Sequence, residues 1–98
     1  MLTWRRWWAS TGLPALRVMA VEHWDPQNIY DDASSADAYD AYLDRVGRML
    51  RRGKGPEEIA RYLGDVRTKA MRLEEREWAD EAFADRVTAW YALERPNA

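Results

Sequence analysis

The chain has 98 residues and a formal net charge of −2, with six tryptophans and no cysteine. That length predicts one domain with a small core, and the missing thiols exclude disulfides, thiolate metal sites and thiol catalysis and fit a reducing compartment. The near-zero net charge disfavours a protein that coats nucleic acid by charge alone. The sequence has no apolar run near the roughly 20 residues of a membrane span and no secretory signal. We therefore expect a cytoplasmic protein.

The N-terminal segment WRRWW, from Trp4 to Trp8, interleaves arginine with tryptophan. This pattern is typical of interfacial membrane peptides and of surfaces that stack on bases. In a small protein the same residues can instead fold back over the helices and enlarge the core, with cation–π contacts between arginine and tryptophan. We favour that arrangement or a contact with a partner, and the sequence leaves the order of residues 1–12 open.

The first predicted helix runs from about Pro14 to Trp24, because proline suits the first helical position and apolar residues recur at helical spacing. Asp25 and Pro26 end it. We interpret Trp24, Asp25 and Pro26 as a structural corner in which the carboxylate accepts N–H groups of the following turn and the indole anchors the loop. A ligand pocket around Trp24 and Tyr30 is the alternative.

The second helix is predicted from about Ser35 to Arg52, with Ser34 as its N-cap. Acidic residues occupy its first turns and arginines its last turn, which suits the helix dipole. Its apolar stripe consists of Tyr39, Tyr42, Leu43, Val46 and Leu50.

After a GKGP break, a third helix is predicted from about Glu57 to Leu73 and a fourth from about Glu75 to Glu94. The fourth has a wide apolar arc that includes Trp78. No glycine or proline separates these two helices, so the sequence leaves open whether the chain bends or turns between them. With no strand pattern, we predict an all-α fold in which four helices form a small bundle or an orthogonal array, as a single domain.

The charges are segregated along the chain. Residues 31–44 include five acids and no base, residues 45–72 include nine bases and three acids, and residues 73–98 include three bases and seven acids. Such blocks pair with one another when helices pack side by side, or they present one sign of charge to a partner.

Four segments, HWDPQNI, DAYDAYLDRVGRMLRRG, EEIARYL and MRL, together resemble a family of small bacterial proteins of unknown function. The pattern of that family is W-D-P, then D-x-Y-D-x-Y, then E-E-I-A-x-Y-L. The resemblance covers about Val18 to Leu73 and implies a compact helical fold without an established catalytic activity. The chain departs from the pattern at Gln27 and Asn28, and WRRWW and the fourth helix have no counterpart in it.

The acidic run is a candidate metal site, because hard cations bind several oxygen ligands. The spacing of a calcium loop, with its glycine and terminal glutamate, is absent, and we expect neither a metal nor another cofactor. A solvated helix face, or a face that meets a basic partner, explains the run better. The run consists of Asp31, Asp32, Asp37, Asp40 and Asp44.

The segment EEIARYLGDVRTKAMRLEER has a spacing that is similar to a helix-turn-helix, and its bases could face phosphates. Acidic residues crowd the same segment, so nucleic-acid binding is the alternative function. These bases are Arg67, Lys69, Arg72 and Arg76. The single histidine, His23, falls on an apolar face and is interpreted as partly buried, and a Ser10–His23–Asp25 set lacks a nucleophile-elbow sequence.

The segregated charges and abundant aromatic residues favour a non-enzymatic module that binds another protein or forms a homodimer. A small immunity or antitoxin-like protein is one concrete form of such a module. We expect no catalytic residues. The predicted contact surface is the acidic face of the second helix, through Asp37, Asp40 and Asp44, with Tyr30 or Tyr39 at its edge.

Overall fold

The computed structural model describes residues 3–30 and 37–96, and every regular element in those two ranges is helical. The prediction of an all-α fold with four helices is confirmed. No helix within these ranges is both long and apolar enough to cross a membrane.

The first helix is a composite of α1 (Trp4–Trp7), a π-helical turn (Trp8–Gly12) and α2 (Leu13–His23), which follow one another without a break. It begins well before the predicted start at Pro14. Thr3 caps it, since its hydroxyl oxygen accepts the Arg6 N–H at 3.2 Å. The π turn precedes Pro14 and widens the helix where the proline ring would otherwise meet a carbonyl one turn earlier.

Two glycines make room for the N-terminal tryptophans. A Cβ atom on Gly12 would lie 2.6 Å from the Trp8 ring and 2.9 Å from the Trp7 ring. The other side of the Trp8 ring lies against Gly47 of α3 (Asp40–Arg51), where a Cβ atom would also come within 2.6 Å of it. Trp8 is therefore wedged between the first helix and α3, and neither glycine tolerates a side chain without movement of the ring.

The helix α3 begins at Asp40, later than the predicted Ser35. The predicted cap, Ser34, and Ser35 lie outside the described residues. At the other end, Gly53 adopts a φ of +79°, and the Lys54 N–H donates to the Met49 carbonyl at 3.0 Å. This glycine C-cap matches the predicted break.

The helix α4 (Pro56–Asp65) continues into a second π turn (Val66–Ala70), and α5 (Glu77–Glu94) follows after a loop. The chain therefore turns between the third and fourth helices. Arg72 takes the conformation that glycine usually takes at such a turn, with a φ of +56°. The Leu73 N–H donates to the Arg67 carbonyl at 2.9 Å and holds the turn closed.

The core lies among all four helices, and the most extensive helix contact is between α4 and α5. Phe83, Ala84, Val87 and Tyr91 form the inward face of α5. Trp78 was predicted on that face, but 73% of its surface is exposed. It precedes Phe83 by five residues and so points away from the core.

An aromatic cluster of Trp4, Trp7, Trp8, Trp90 and Tyr91 joins the first helix to the end of α5. The rings of Trp4 and Trp8 stack at 5.4 Å, and those of Trp7 and Trp90 at 5.9 Å. The Trp4 indole N–H donates to the Tyr91 hydroxyl at 2.9 Å. The N-terminal segment thus enlarges the core, as we favoured. The cation over the Trp4 ring comes from a part of the sequence far from WRRWW, since the guanidinium carbon of Arg51 in α3 lies 4.9 Å from the ring centroid.

Candidate functional site

The corner after α2 is built around one carboxylate. Asp25 has a φ of +35°, and its side chain accepts the N–H groups of Ile29 and Tyr30 at 2.9 and 3.1 Å. It also accepts the Tyr39 hydroxyl at 2.8 Å, and that hydroxyl accepts the Gln27 N–H at 2.9 Å. The corner therefore has the carboxylate-centred turn that the sequence predicts, and Tyr39 links it to the start of α3.

Trp24 is the apolar part of this corner and belongs to the core. Its ring stacks on Phe83 with 5.5 Å between centroids, and it lies 5.3 Å from the ring of Tyr39. Its indole N–H donates to Asp80 at 2.9 Å. Since only 7% of Trp24 is exposed, its contacts are with other core residues, and Pro26 beside it is half-buried.

Asp80 also forms a buried ion pair with Arg67 of the second π turn. The closest nitrogen–oxygen distance is 2.9 Å, and the side chains are 4% and 3% exposed for Arg67 and Asp80. The nucleic-acid alternative needs Arg67 to face phosphates, and its burial against Asp80 removes it from such a surface. One signal was available: Asp80 lies three and seven residues before Phe83 and Val87, on the inward face of α5, where a charge needs a buried partner.

Burial raises the pKa of the Tyr39 hydroxyl above its usual value, and its hydrogen bond to Asp25 raises this pKa further. The Gln27 N–H opposes these effects without cancelling them. Tyr39 is 3% exposed. It is a core residue, where the sequence analysis expected the edge of a contact surface.

Two of the predicted partner-binding aspartates have intramolecular partners. Asp40 accepts two hydrogen bonds from the Arg17 guanidinium, at 3.0 and 2.7 Å, and the bond to Asp40 raises the pKa of Arg17. Asp44 accepts the Trp8 indole N–H at 2.7 Å. Asp37 and Tyr30 are exposed, so the predicted face consists of a surface part and a part that ties α3 to the first helix.

The remaining acidic residues of the run, Asp31 and Asp32, lie outside the described residues. Within residues 3–30 and 37–96, no group of three or more histidine or acidic side chains is placed to share a metal ion. The side chain of His23 is 37% exposed and lies 3.7 Å from Glu22, at the end of α2. Ser10 lies in the first π turn and His23 at the end of α2, more than three helical turns further on, and the Ser10 hydroxyl donates to the Arg6 carbonyl at 2.7 Å.

A basic cleft lies between α3 and α4, with a volume of about 340 Å³. Tyr62 and Met49, which line it, are half-buried, and Glu58 and Asp65 line it as well. Burial raises the pKa of the Tyr62 hydroxyl, against the opposing charges of Arg45 and Arg48 nearby. We define the basic cleft by its five cationic side chains, which are Arg45, Arg48, Arg52, Lys54 and Arg61.

A second groove of about 800 Å³ lies on the other side of α4, against α5. Arg61 is the one cation among the described residues that line it, and Asp80 forms its floor, already paired with Arg67. Arg61 and Asp65 border both the groove and the basic cleft. We call it the acidic groove for its seven carboxylates, which are Glu57, Asp65, Glu75, Glu77, Asp80, Glu81 and Asp85.

Neither surface is apparent from sequence. The basic block of residues 45–72 supplies the cleft but also sends Arg67 into the core and Arg51 onto Trp4. Arg67 of the second π turn pairs with Asp80, and Arg51 of α3 lies over Trp4, so neighbouring bases of one block have different surroundings.

No family model, curated protein or solved structure matches the chain. The resemblance to the W-D-P family of small bacterial proteins stays a prediction.

Proposed function

We propose that the protein is a non-catalytic module that binds another protein chain, and that its contact surface is the basic cleft. One observation carries the proposal. The ion pairs within the described ranges leave Arg45, Arg48 and Arg52 without a carboxylate at salt-bridge distance, although all three line one cleft. Exposed arginines beside a half-buried aromatic ring are typical of the residues that contribute most to protein–protein affinity.

The acidic face of α3 supports this role indirectly. Asp40 and Asp44 hold α3 against the first helix through Arg17 and Trp8. The arginines of the same helix are exposed. One helix therefore uses its acidic first turns for the fold and leaves its basic last turns for a partner.

A protein partner fits this surface better than the nucleic-acid alternative. Phosphates repeat along a nucleic acid, so a binding surface needs cations along its whole path. Glu58 and Asp65 line the basic cleft among its cations, and the acidic groove adjoins it across α4. Arg67 is buried, and Lys69 lies 3.4 Å from Asp65.

A small immunity or antitoxin-like protein is one concrete form of this module. The cysteine-free composition suits a reducing compartment such as the cytoplasm.

The test is cross-linking and affinity purification of the tagged chain from its native cell. We expect the variant Arg48→Glu/Arg52→Glu to lose a protein that the unchanged chain captures, because each reversal replaces attraction with repulsion. The matched control is Arg86→Glu, which reverses an exposed charge on α5 outside the basic cleft and the acidic groove. Capture that is equal in all three chains would contradict the proposal.

A further inference from the structure

We infer that the partner of the basic cleft is a second copy of this chain, whose α5 presents an acidic stripe of Glu77, Glu81 and Asp85. This inference rests on the proposed function. It names the occupant of the same cleft.

The two surfaces each present three like charges at similar helical spacing. Arg45 and Arg48 of α3 and its C-cap residue Arg52 are spaced i, i+3 and i+7, which places them on one side of the helix over about 10 Å. Every member of the acidic stripe is exposed and stands four residues from the next, which places the stripe on one face of α5 over about 12 Å. An extended strand would place only two side chains on one face over this distance. Two helices laid side by side therefore bring three carboxylates to three guanidinium groups.

The cleft has the size for side chains and not for a whole helix. A helix with its side chains is about 10–12 Å across, and the cleft holds about 340 Å³. The partner's α5 therefore lies over the opening and inserts carboxylates between the arginines. Tyr62 and Met49 form a floor against which the aliphatic parts of those side chains pack.

The acidic residues of α3 are less suited to this role than the stripe on α5. Asp40 and Asp44 already accept hydrogen bonds from Arg17 and Trp8. By contrast, none of the ion pairs within residues 3–30 and 37–96 includes a member of the acidic stripe.

The positions of the two surfaces allow a closed dimer. Arg61 and Asp65 border both, so the basic cleft and the acidic groove adjoin across α4. In a dimer with two-fold symmetry, each contact occurs twice. Each basic cleft then meets the acidic stripe of the other copy, and the assembly ends at two chains.

The test uses two charge-reversed full-length chains and sedimentation equilibrium at low salt. The cleft variant is Arg48→Glu/Arg52→Glu, and the stripe variant is Glu81→Arg/Asp85→Arg. We expect the unchanged chain to sediment at twice its mass of 11.5 kDa and each variant alone to sediment as a monomer. An equimolar mixture of the two variants restores the dimer, because both contacts of the mixed pair join opposite charges again.

The controls are Arg86→Glu and Glu94→Arg, exposed reversals outside both surfaces, which leave the dimer intact. Circular dichroism of each variant shows whether it is folded. Raising the salt from about 50 mM to 1 M shortens the Debye length from over 10 Å to about 3 Å and dissociates the dimer.

Three results overturn the inference. The first is a monomer at low salt, and the second is a dimer that survives both reversals. The third is a mixture that stays monomeric although both variants are folded. If the chain is a monomer but the cleft variant still loses a captured foreign protein, the proposed function stands without the homodimer. Tighter binding of single-stranded DNA than of a second copy overturns both.

Discussion

At the scale of single residues, the fold depends on a few polar atoms inside an apolar core. Asp80 is the most connected of them, because it accepts hydrogen bonds from both Arg67 and Trp24. These bonds join the second π turn, α5 and the corner after α2. No buried side-chain nitrogen or oxygen in the described part of the chain lacks a hydrogen-bond partner. Loss of one member of this network therefore leaves the others buried without their partner.

We expect Asp80→Asn to lower the free energy of unfolding by about 3–5 kcal/mol, because it leaves the buried Arg67 charge uncompensated. Urea unfolding followed by circular dichroism measures the loss. Asp65→Asn is the matched control, since its pair with Lys69 is exposed and contributes about 1 kcal/mol or less. Equal losses in the two variants would show that the Arg67–Asp80 pair has no special role.

The glycines of the core allow a second prediction at this scale. Gly47→Ala places a methyl group within 2.6 Å of the Trp8 ring, and we expect it to destabilise the protein by about 1–3 kcal/mol. Gly64→Ala meets its nearest neighbour, an Asp80 oxygen, at 3.7 Å. We expect it to stabilise the helix by about 0.5–1 kcal/mol. Thermal unfolding of both variants measures the difference, and the same sign for both would contradict the packing described for Trp8.

At the scale of elements, the helices depend on connections that are not helical. The corner after α2 joins the start of α3 through Tyr39, whose hydroxyl donates to Asp25 and accepts from Gln27 and whose ring lies against Trp24. The first helix joins α3 at two further points, Arg17–Asp40 and Trp8–Asp44. The acidic residues Asp40 and Asp44 of α3 and its N-cap residue Tyr39 therefore hold α3 against the first helix and the corner that follows it.

The raised pKa of Tyr39 predicts how stability depends on pH. The folded chain retains a hydroxyl proton that the unfolded chain loses near a pH of about 10. Stability is therefore fully present below that pH and falls as the pH rises further. Tyr62 contributes in the same direction, because burial also raises its pKa.

We expect Tyr39→Phe to remove part of this alkaline loss, while it destabilises the protein at neutral pH because Asp25 and Gln27 lose a partner. Urea unfolding at several pH values between about 7 and 11 measures both effects. Tyr30→Phe serves as the control, since that side chain is exposed. An unchanged pH dependence in Tyr39→Phe would show that another group is responsible.

Sequence predicted several helix bounds closely. The start of α4, both bounds of α5 and the end of α3 fall close to the predicted ones, and the GKGP break marks two of them. The third helix was predicted to continue to about Leu73, but α4 ends at Asp65 and the π turn after it at Ala70. The extent of the first helix was missed. Pro14 indicated a helix start, and a proline inside a helix becomes acceptable here only because a π turn precedes it.

The candidate site was less predictable, because it depends on which side of a helix each charge takes. The pattern D-x-Y-D-x-Y indicated an acidic surface, but Trp8 and Arg17 come from a distant part of the chain and engage two of its aspartates. The spacing of residues within α3 does not predict these contacts with Trp8 and Arg17. The position of Asp80 on the inward face of α5 indicates that some base must be buried beside it, but no local spacing shows that this base is Arg67.

At the scale of the whole molecule, the near-neutral net charge conceals two surfaces of opposite sign on either side of α4. The basic cleft and the acidic groove have complementary charges, and neither is neutralised by ion pairs to the other within the described residues. Association through them is steered by charge, so its rate and strength fall as salt rises.

The central claim is that the basic cleft, and not the acidic face of α3 with Asp37 and Tyr30, is the contact surface. Its most direct test follows the backbone amide resonances of the ¹⁵N-labelled chain through a dilution series at low salt. We predict concentration-dependent shifts confined to residues 45–54, 57–65 and 77–85. Shifts centred on Tyr30 and Asp37, or a spectrum that does not change with concentration, would contradict the claim that two copies meet through the cleft.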